Sequence, residues 1–331
     1  ILLMLYYFVS LFIFYHIIPA VMKNKTAVTE FILMGFSTNQ NLYILHSGLF
    51  AFIYLWALIG NILIIMITTM DQHLHTPMYF FLKNLSILDL CLISTTVPKA
   101  IVNALTHSNS ISFLGCVMQV FLFVLLAVAE LFLLTAMSFD RYAAICHPLH
   151  YEVIMNMDTC MHMAAVAWLG GGLTAVMHTA GIFSLSFCGP NVLHQFFCSI
   201  PQLLAISCSE NLVREIVPII ITVTLDFCCF IFIMVSYIYI FCTVKNVPST
   251  EGQSRAYSTC LPHLVVVVLF LTTGFIAHLK PTSAYPSISD IVISVFYTMV
   301  PQTLNPIIYS LRNKAMKTAL CMLIEGKLIK K

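Results

Sequence analysis

Apolar residues along this 331-residue chain gather in long runs broken by short polar stretches. A helix crossing hydrocarbon needs ~20 mostly apolar residues, because every backbone group must be paired inside the segment. Residues 31–70 hold no Asp, Glu, Lys or Arg, and their apolar part, roughly 45–70, is the first predicted span. Six more follow at roughly 78–101, 113–141, 161–183, 213–243, 256–279 and 291–311. The charge-free run 159–209 is too long for one helix, and its second half carries Cys, His, Pro and Asn, so it reads as a span followed by a loop. The pattern predicts an all-α integral membrane protein, a bundle of seven transmembrane helices over 45–311. A segment 22–44 precedes it and a tail 312–331 follows.

Composition excludes the alternatives. Fifteen Lys+Arg and 13 Asp+Glu make 8% charged residues against 60% hydrophobic, where soluble domains carry ~25% charged. Such a chain cannot build a soluble surface, so disordered, nucleic-acid-binding and cytosolic-enzyme readings fall. A net charge of +2 implies no polyanionic partner. The basic residues also orient the bundle. With the C-terminus inside, Lys83, Arg141, Lys245, Arg255, Arg312, Lys314, Lys317, Lys327, Lys330 and Lys331 are cytoplasmic, against Lys23, Lys25, Lys99, Arg214 and Lys280 outside. That bias fits the positive-inside rule. Seven spans then put Asn24-Lys25-Thr26 outside, where a glycosylation acceptor is usable. A second acceptor, Asn84-Leu85-Ser86, falls within span two and should stay bare. Residues 1–21 are apolar and uncharged, with no basic n-region or clear cleavage site. They read as upstream sequence ahead of Met22 or as a signal-like segment.

Of twelve cysteines, this topology puts Cys116, Cys188, Cys198 and Cys208 outside, where disulfides persist. Four cysteines allow three pairings, and a bridge from Cys116 to the loop after span four would pin that loop over the bundle. The other eight read as small buried hydrophobes, and no CxxC spacing marks a metal site. Charges at membrane depth usually face the interior. Asp89 and Glu130, mid-span in two and three, read either as packing and hydrogen-bonding groups or as a shared cation or proton site. Asp226 in span five is either a protonated interior group or a ligand-facing acceptor. His178 and His278, near the outer ends of spans four and six, read as interfacial histidines or as cavity lining. Asp140-Arg141-Tyr142 closes span three, and Asn305-Pro306-Ile307-Ile308-Tyr309 ends span seven with a proline hinge. Each alone is an ordinary helix end; together in spans three and seven of seven they are specific.

These residues resemble the rhodopsin-like G-protein-coupled receptors and, within them, the olfactory receptors. The likeness runs from about Met22 to Ile324. It is carried by Gly60-Asn61, by Pro77 through Leu82, by Leu85 through Asp89 and by Met137 through Leu149. Ser236-Tyr237, Ser258 through Leu264 and Pro301 through Asn313 complete it. Phe187-Cys188-Gly189, Pro248 through Gly252 and Leu279-Lys280-Pro281 are similar to the family 14 subgroup. The resemblance implies disulfides Cys116–Cys198 and Cys188–Cys208. It implies an interior sodium-type site at Asp89 and Glu130, and a rearrangement of Arg141, Tyr237 and Tyr309 on activation, with Asp140, Tyr142, Asn305 and Pro306 in the same machinery. It implies an odorant pocket lined by Phe123, Val124, Ala127, Val128, Ile221, Leu225, Gly274, Phe275, His278 and Thr298. Burial in such an apolar lining is worth ~25 cal/mol per Å² before entropic losses, so broad, weak recognition of a small volatile ligand is expected. Several positions depart from the pattern: Phe139 where Tyr is usual, Leu271-Thr272 where an aromatic and Gly are common, Ser199 where an acid is common, and Asp226.

The implied function is odorant sensing with a stimulatory olfactory-type G protein and cyclic AMP as output, at the plasma membrane of sensory cilia of olfactory neurons. Residues 313–324 then form a surface helix with Ala315, Met316, Ala319, Leu320 and Leu323 against lipid and Lys314 and Lys317 toward phosphates. The rivals are a receptor-like chain that does not signal or traffic, and a small-molecule transporter, which should show paired half-repeats that this chain lacks. Neither GxSxG nor HExxH occurs, so no enzyme is expected.

Overall fold

A computed structural model describes residues 28–34, 40–106, 108–187, 190–208, 213–279, 288–312 and 314–324; the side chains at 40–44, 213–215, 255, 275–279, 288–291, 310–312, 314–315 and 324 lie outside that description. Seven long helices form the bundle: α1 Gln40–Met70, α2 Pro77–Thr106, α3 Phe113–Cys146, α4 Met157–Phe183, α5 Val213–Lys245, α6 Thr250–Leu279 and α7 Ile288–Arg312, with α8 Lys314–Ile324 beyond them. Six of the seven, within the described residues, are long and apolar enough to cross a membrane. The remaining one, α7, carries Gln302, Asn305, Pro301 and Pro306, and its buried Gln302 and Asn305 face inward. The protein is a multi-pass membrane protein.

Most helices overrun the apolar runs that predict them. The apolar run marks the stretch that needs lipid, whereas the helix ends where its backbone finds a cap. Ser112 accepts from Gly115 N at 3.1 Å to start α3, and Asn156 accepts from Thr159 N at 2.8 Å to start α4. Past the apolar run, α3 continues to Cys146, where Pro148 bars further helix.

The central core joins α2, α3 and α4 through Phe81, Leu85, Leu88, Leu133, Leu134 and Ala167. Helices α3 and α4 touch almost backbone to backbone: a Cβ at Gly171 would stand 2.4 Å from the Leu125 carbonyl oxygen. Gly60 of α1 leaves similar room for Pro306 of α7, 2.9 Å from where its Cβ would be. The opposite surface is apolar too, with Phe52, Trp56, Val223 and Phe227 exposed as lipid-facing residues.

Over one end lies a small three-stranded sheet absent from the sequence expectations. Strand β1 Glu30–Leu33 sits in the middle, antiparallel to β2 Ser110–Ser112 and parallel to β3 Val192–Leu193. Its Phe31 is fully buried among Phe113, Phe183 and Phe187. The sheet does not change the class, which is helical. At the other end α8 folds back. Met316 and Ala319 are buried in the central core, so they pack against the bundle rather than lipid as expected. The helix meets α1 and α7 there, while Lys317 stays exposed.

Candidate functional site

Helix α3 passes through three polar or aromatic stations, and they carry the candidate chemistry. The first lies under the sheet. The disulfide Cys116–Cys198 ties the loop after α4 to the start of α3. Gln119 reinforces it, accepting from Cys198 N at 2.8 Å while its amide donates to the Thr95 carbonyl of α2 at 2.9 Å. The loop thereby drops Phe197 onto Phe123, with ring centres 5.7 Å apart, and Tyr297 of α7 meets Phe123 edge-on at 5.3 Å.

Of the predicted ligand lining, Phe123 thus sits beneath this aromatic lid, Val124 packs beneath the sheet and Val128 is buried. Ala127, Ile221 and Leu225 are half-buried. Thr298 is fully buried, its hydroxyl donating to the Ser294 carbonyl at 2.6 Å. Beside Gly274 there is open space where a Cβ would stand. The side chains of Phe275 and His278 fall outside the described residues. A narrow cleft lies apart from this set, between β1, α1 and α2, lined by Leu33, His46, Phe50, Asn103 and Phe196 among others.

The second station is mid-bundle. Asp89 and Glu130 are both fully buried. The Asn305 amide donates to both Asp89 oxygens at 3.0 and 3.1 Å. Glu130 faces Asp89 and the amides of Asn305 and Gln302, yet neither of its oxygens has a hydrogen bond among the described residues. The Asn305 Oδ1 and the Gln302 side-chain amide are equally unpartnered. Asn61 closes the α1–α7 side by donating to the Gln302 carbonyl at 3.0 Å. Two acids and the Asn305 and Gln302 oxygens therefore lie together with only the Gln302 Nε2 as an unpartnered donor among the described residues, a set suited to a hard cation or a proton. The described residues contain no cluster of three or more His, Cys, Asp and Glu, the donor types of a transition-metal site.

The third station is the end of α3. Asp140, 1% exposed, holds Arg141 through a two-nitrogen contact, the Nε bond being 2.9 Å. The Tyr151 hydroxyl, from the helical turn after Pro148, donates to the other Asp140 oxygen at 2.7 Å. Burial and the facing carboxylate push the Tyr151 phenol pKa up, so it stays a donor. Tyr142 points away and bonds His147 at 3.1 Å. Next to the pair, the Tyr237 hydroxyl of α5 bonds His263 of α6 at 2.6 Å, and the Tyr309 hydroxyl of α7 has no partner among the described residues.

The olfactory receptor family model matches residues 50–327. The chain belongs to the olfactory receptor family. It is 73% identical over 310 residues to human olfactory receptor 14A16, covering 94% of this chain and the whole of that relative. It is 54% identical over 297 residues to human olfactory receptor 14L1, covering 90% and 91% of the two. The fold matches squid rhodopsin with a TM-score of 0.70 at 16% identity, over 91% of this chain and 83% of that one. These are receptors and not enzymes.

In this olfactory receptor two expectations lie outside the described residues: the acceptor Asn24, and Cys188 with its pairing. Cys208 is itself disulfide-bonded. Several working residues carry no local signal: Gln119, Tyr151, Phe197 and Tyr297 become visible only when distant segments meet. His178 is partnered within the bundle. It is buried in α4, its Nε2 2.9 Å from the Thr222 hydroxyl of α5, and it lies in electrostatic reach of Asp226. Asn84 is half-buried in α2, its amide donating to the Phe80 carbonyl at 2.9 Å, which suits an unmodified asparagine.

Proposed function

We propose that this olfactory receptor is a ligand-driven switch. A small, mostly apolar odorant binds between α3, α5 and α6 beneath the Phe197 lid, and a stimulatory olfactory-type heterotrimeric G protein engages the Arg141 end and raises cyclic AMP. The observation that carries the reading is the closed Asp140–Arg141–Tyr151 cluster on the same helix that presents Phe123 and Val128. One continuous helix links the two ends, so a ligand preferring another packing of α3 against α5 and α6 shifts the population by that preference alone. In the active arrangement α6 swings out and Arg141 leaves Asp140 for the partner. The Tyr237–His263 bond, which joins α5 to α6, must open on the way. Leu149 and Val153, 94% and 76% exposed just beyond Arg141, offer the apolar contact a protein partner would bury.

The same reading puts Asn24 outside the plasma membrane as a glycosylated residue, pairs Cys188 with Cys208, and puts the receptor in the sensory cilia of olfactory neurons. Asp89 and Glu130, with Asn305 and Gln302, would hold sodium in the closed arrangement. Bound there, the cation would neutralise the two facing acids and fasten α2, α3 and α7 together. The test is a cyclic-AMP reporter screen of surface-expressed receptor against an odorant panel, with Arg141→Ala alongside. A response lost in Arg141→Ala at unchanged surface level is expected. Silence to the whole panel, or full signalling by Arg141→Ala, overturns the reading.

A further inference from the structure

The α4–α5 seam contains an acid that the switch does not use. Along α5, Ile220, Val223 and Phe227 are about 60% exposed to the lipid side, whereas Thr222 and Asp226, one turn apart, are half-buried on the bundle side. Cys229, the next residue on that stripe, faces Thr135 of α3. Asp226 therefore stands where α3, α4 and α5 meet, next in the chain to Leu225, which is one turn from Ile221 of the ligand lining.

No permanent cation is resident there. Helix α4 has no Lys or Arg; those of α3 and α5 are Arg141, Arg214 and Lys245, at the helix ends. Arg141 is taken by Asp140. Among the described residues the basic group in reach is His178, whose Nε2 is tied to Thr222 at 2.9 Å, and its contact with Asp226 is electrostatic. A carboxylate withdrawn from water without a fixed counter-ion favours an incoming cation. Ile221 and Leu225, half-buried on the neighbouring stripe of α5, are apolar, which fits an organic body and not a hydrated ion.

We propose that Asp226 is the anchoring acceptor for small odorants that carry a basic nitrogen on an apolar skeleton. The ammonium donates its N–H groups to the carboxylate, a charge-assisted bond stronger than a neutral one. The skeleton extends along α3 toward Phe123. This inference rests on the odorant-receptor reading and names its ligand class.

The experiment compares matched pairs in the cyclic-AMP assay: hexylamine with hexanol, cyclohexylamine with cyclohexanol, and phenethylamine with phenethyl alcohol. Wild type should respond to at least one amine at about tenfold lower concentration than to its alcohol. Asp226→Asn should remove about a tenfold potency advantage for the amine while shifting the alcohol less than about threefold, and Asp226→Glu should restore part of it. Surface staining controls for folding, and if Asp226→Asn fails to reach the surface, the wild-type pairs decide. Responses to alcohols or other neutral odorants without any amine preference, or equal losses for both in Asp226→Asn, overturn the inference and leave the receptor reading intact. Silence to every compound from surface-expressed receptor overturns both.

Discussion

Helix α3 carries two buried acids ten residues apart, and their surroundings are opposites. Asp140 has a full set of partners: Arg141 on one side and the Tyr151 hydroxyl on the other. Glu130 has none of normal geometry, and the acid it faces, Asp89, shares a single asparagine amide. A satisfied ion pair resists change until a competitor offers better contacts, since removing one partner of a buried pair is worth about 3–5 kcal/mol. Two facing acids with spare acceptors behave in the reverse way and gain from anything positive that enters. In the proposed switch the first acts as a latch and the second as a receptor for charge, on one continuous helix. What separates them is the supply of donors rather than the acids themselves.

Removing the latch should give the largest effect. Asp140→Asn leaves Arg141 without its counter-charge, so ligand-free cyclic-AMP production should rise on the order of tenfold at equal surface level. An unchanged basal signal would make the pair a mere helix-end contact. The mid-bundle site should respond more mildly. With choline in place of sodium in the bath, agonist potency should rise about fivefold in wild type, a coupling of about 1 kcal/mol. Asp89→Asn should erase that difference, and a sodium effect surviving the substitution would locate the cation elsewhere. The smallest change should come from Tyr151→Phe. It removes one half-exposed hydrogen bond worth about 0.5 kcal/mol and should raise basal signalling roughly twofold. No rise in a reporter able to resolve it would leave Arg141 as the sole holder of Asp140.

Legibility in the sequence tracked how local the cause is. The seven apolar runs announce themselves because each helix pairs its own backbone, and the buried Asp89 and Glu130 stand out because charges in such runs are rare. The sheet was invisible: strands of two to four residues carry no period to detect, and their pairing joins positions 30, 111 and 192. The inward face of Met316 and Ala319 was misassigned to lipid because an amphipathic stripe does not say which apolar neighbour it will meet. His178 and Asp226 were each noted singly, but no spacing rule links residues 48 apart on different helices. Phe197 was hidden for the same reason, since only the Cys116–Cys198 tether brings it over Phe123.

The position of β1 also bears on how the chain is made. It is the middle strand, so the earliest of the three segments to leave the ribosome is the one both others require. Its antiparallel neighbour is about 80 residues later and its parallel neighbour about 160. Pairings that distant form slowly, because loop closure precedes any gain from contact. Until the segment around Val192 arrives, Phe31 and Leu33 have no complete shelter, and a quality-control system that reads exposed apolar side chains would see an unfinished receptor. The sheet is therefore complete only when its last segment joins the first one made.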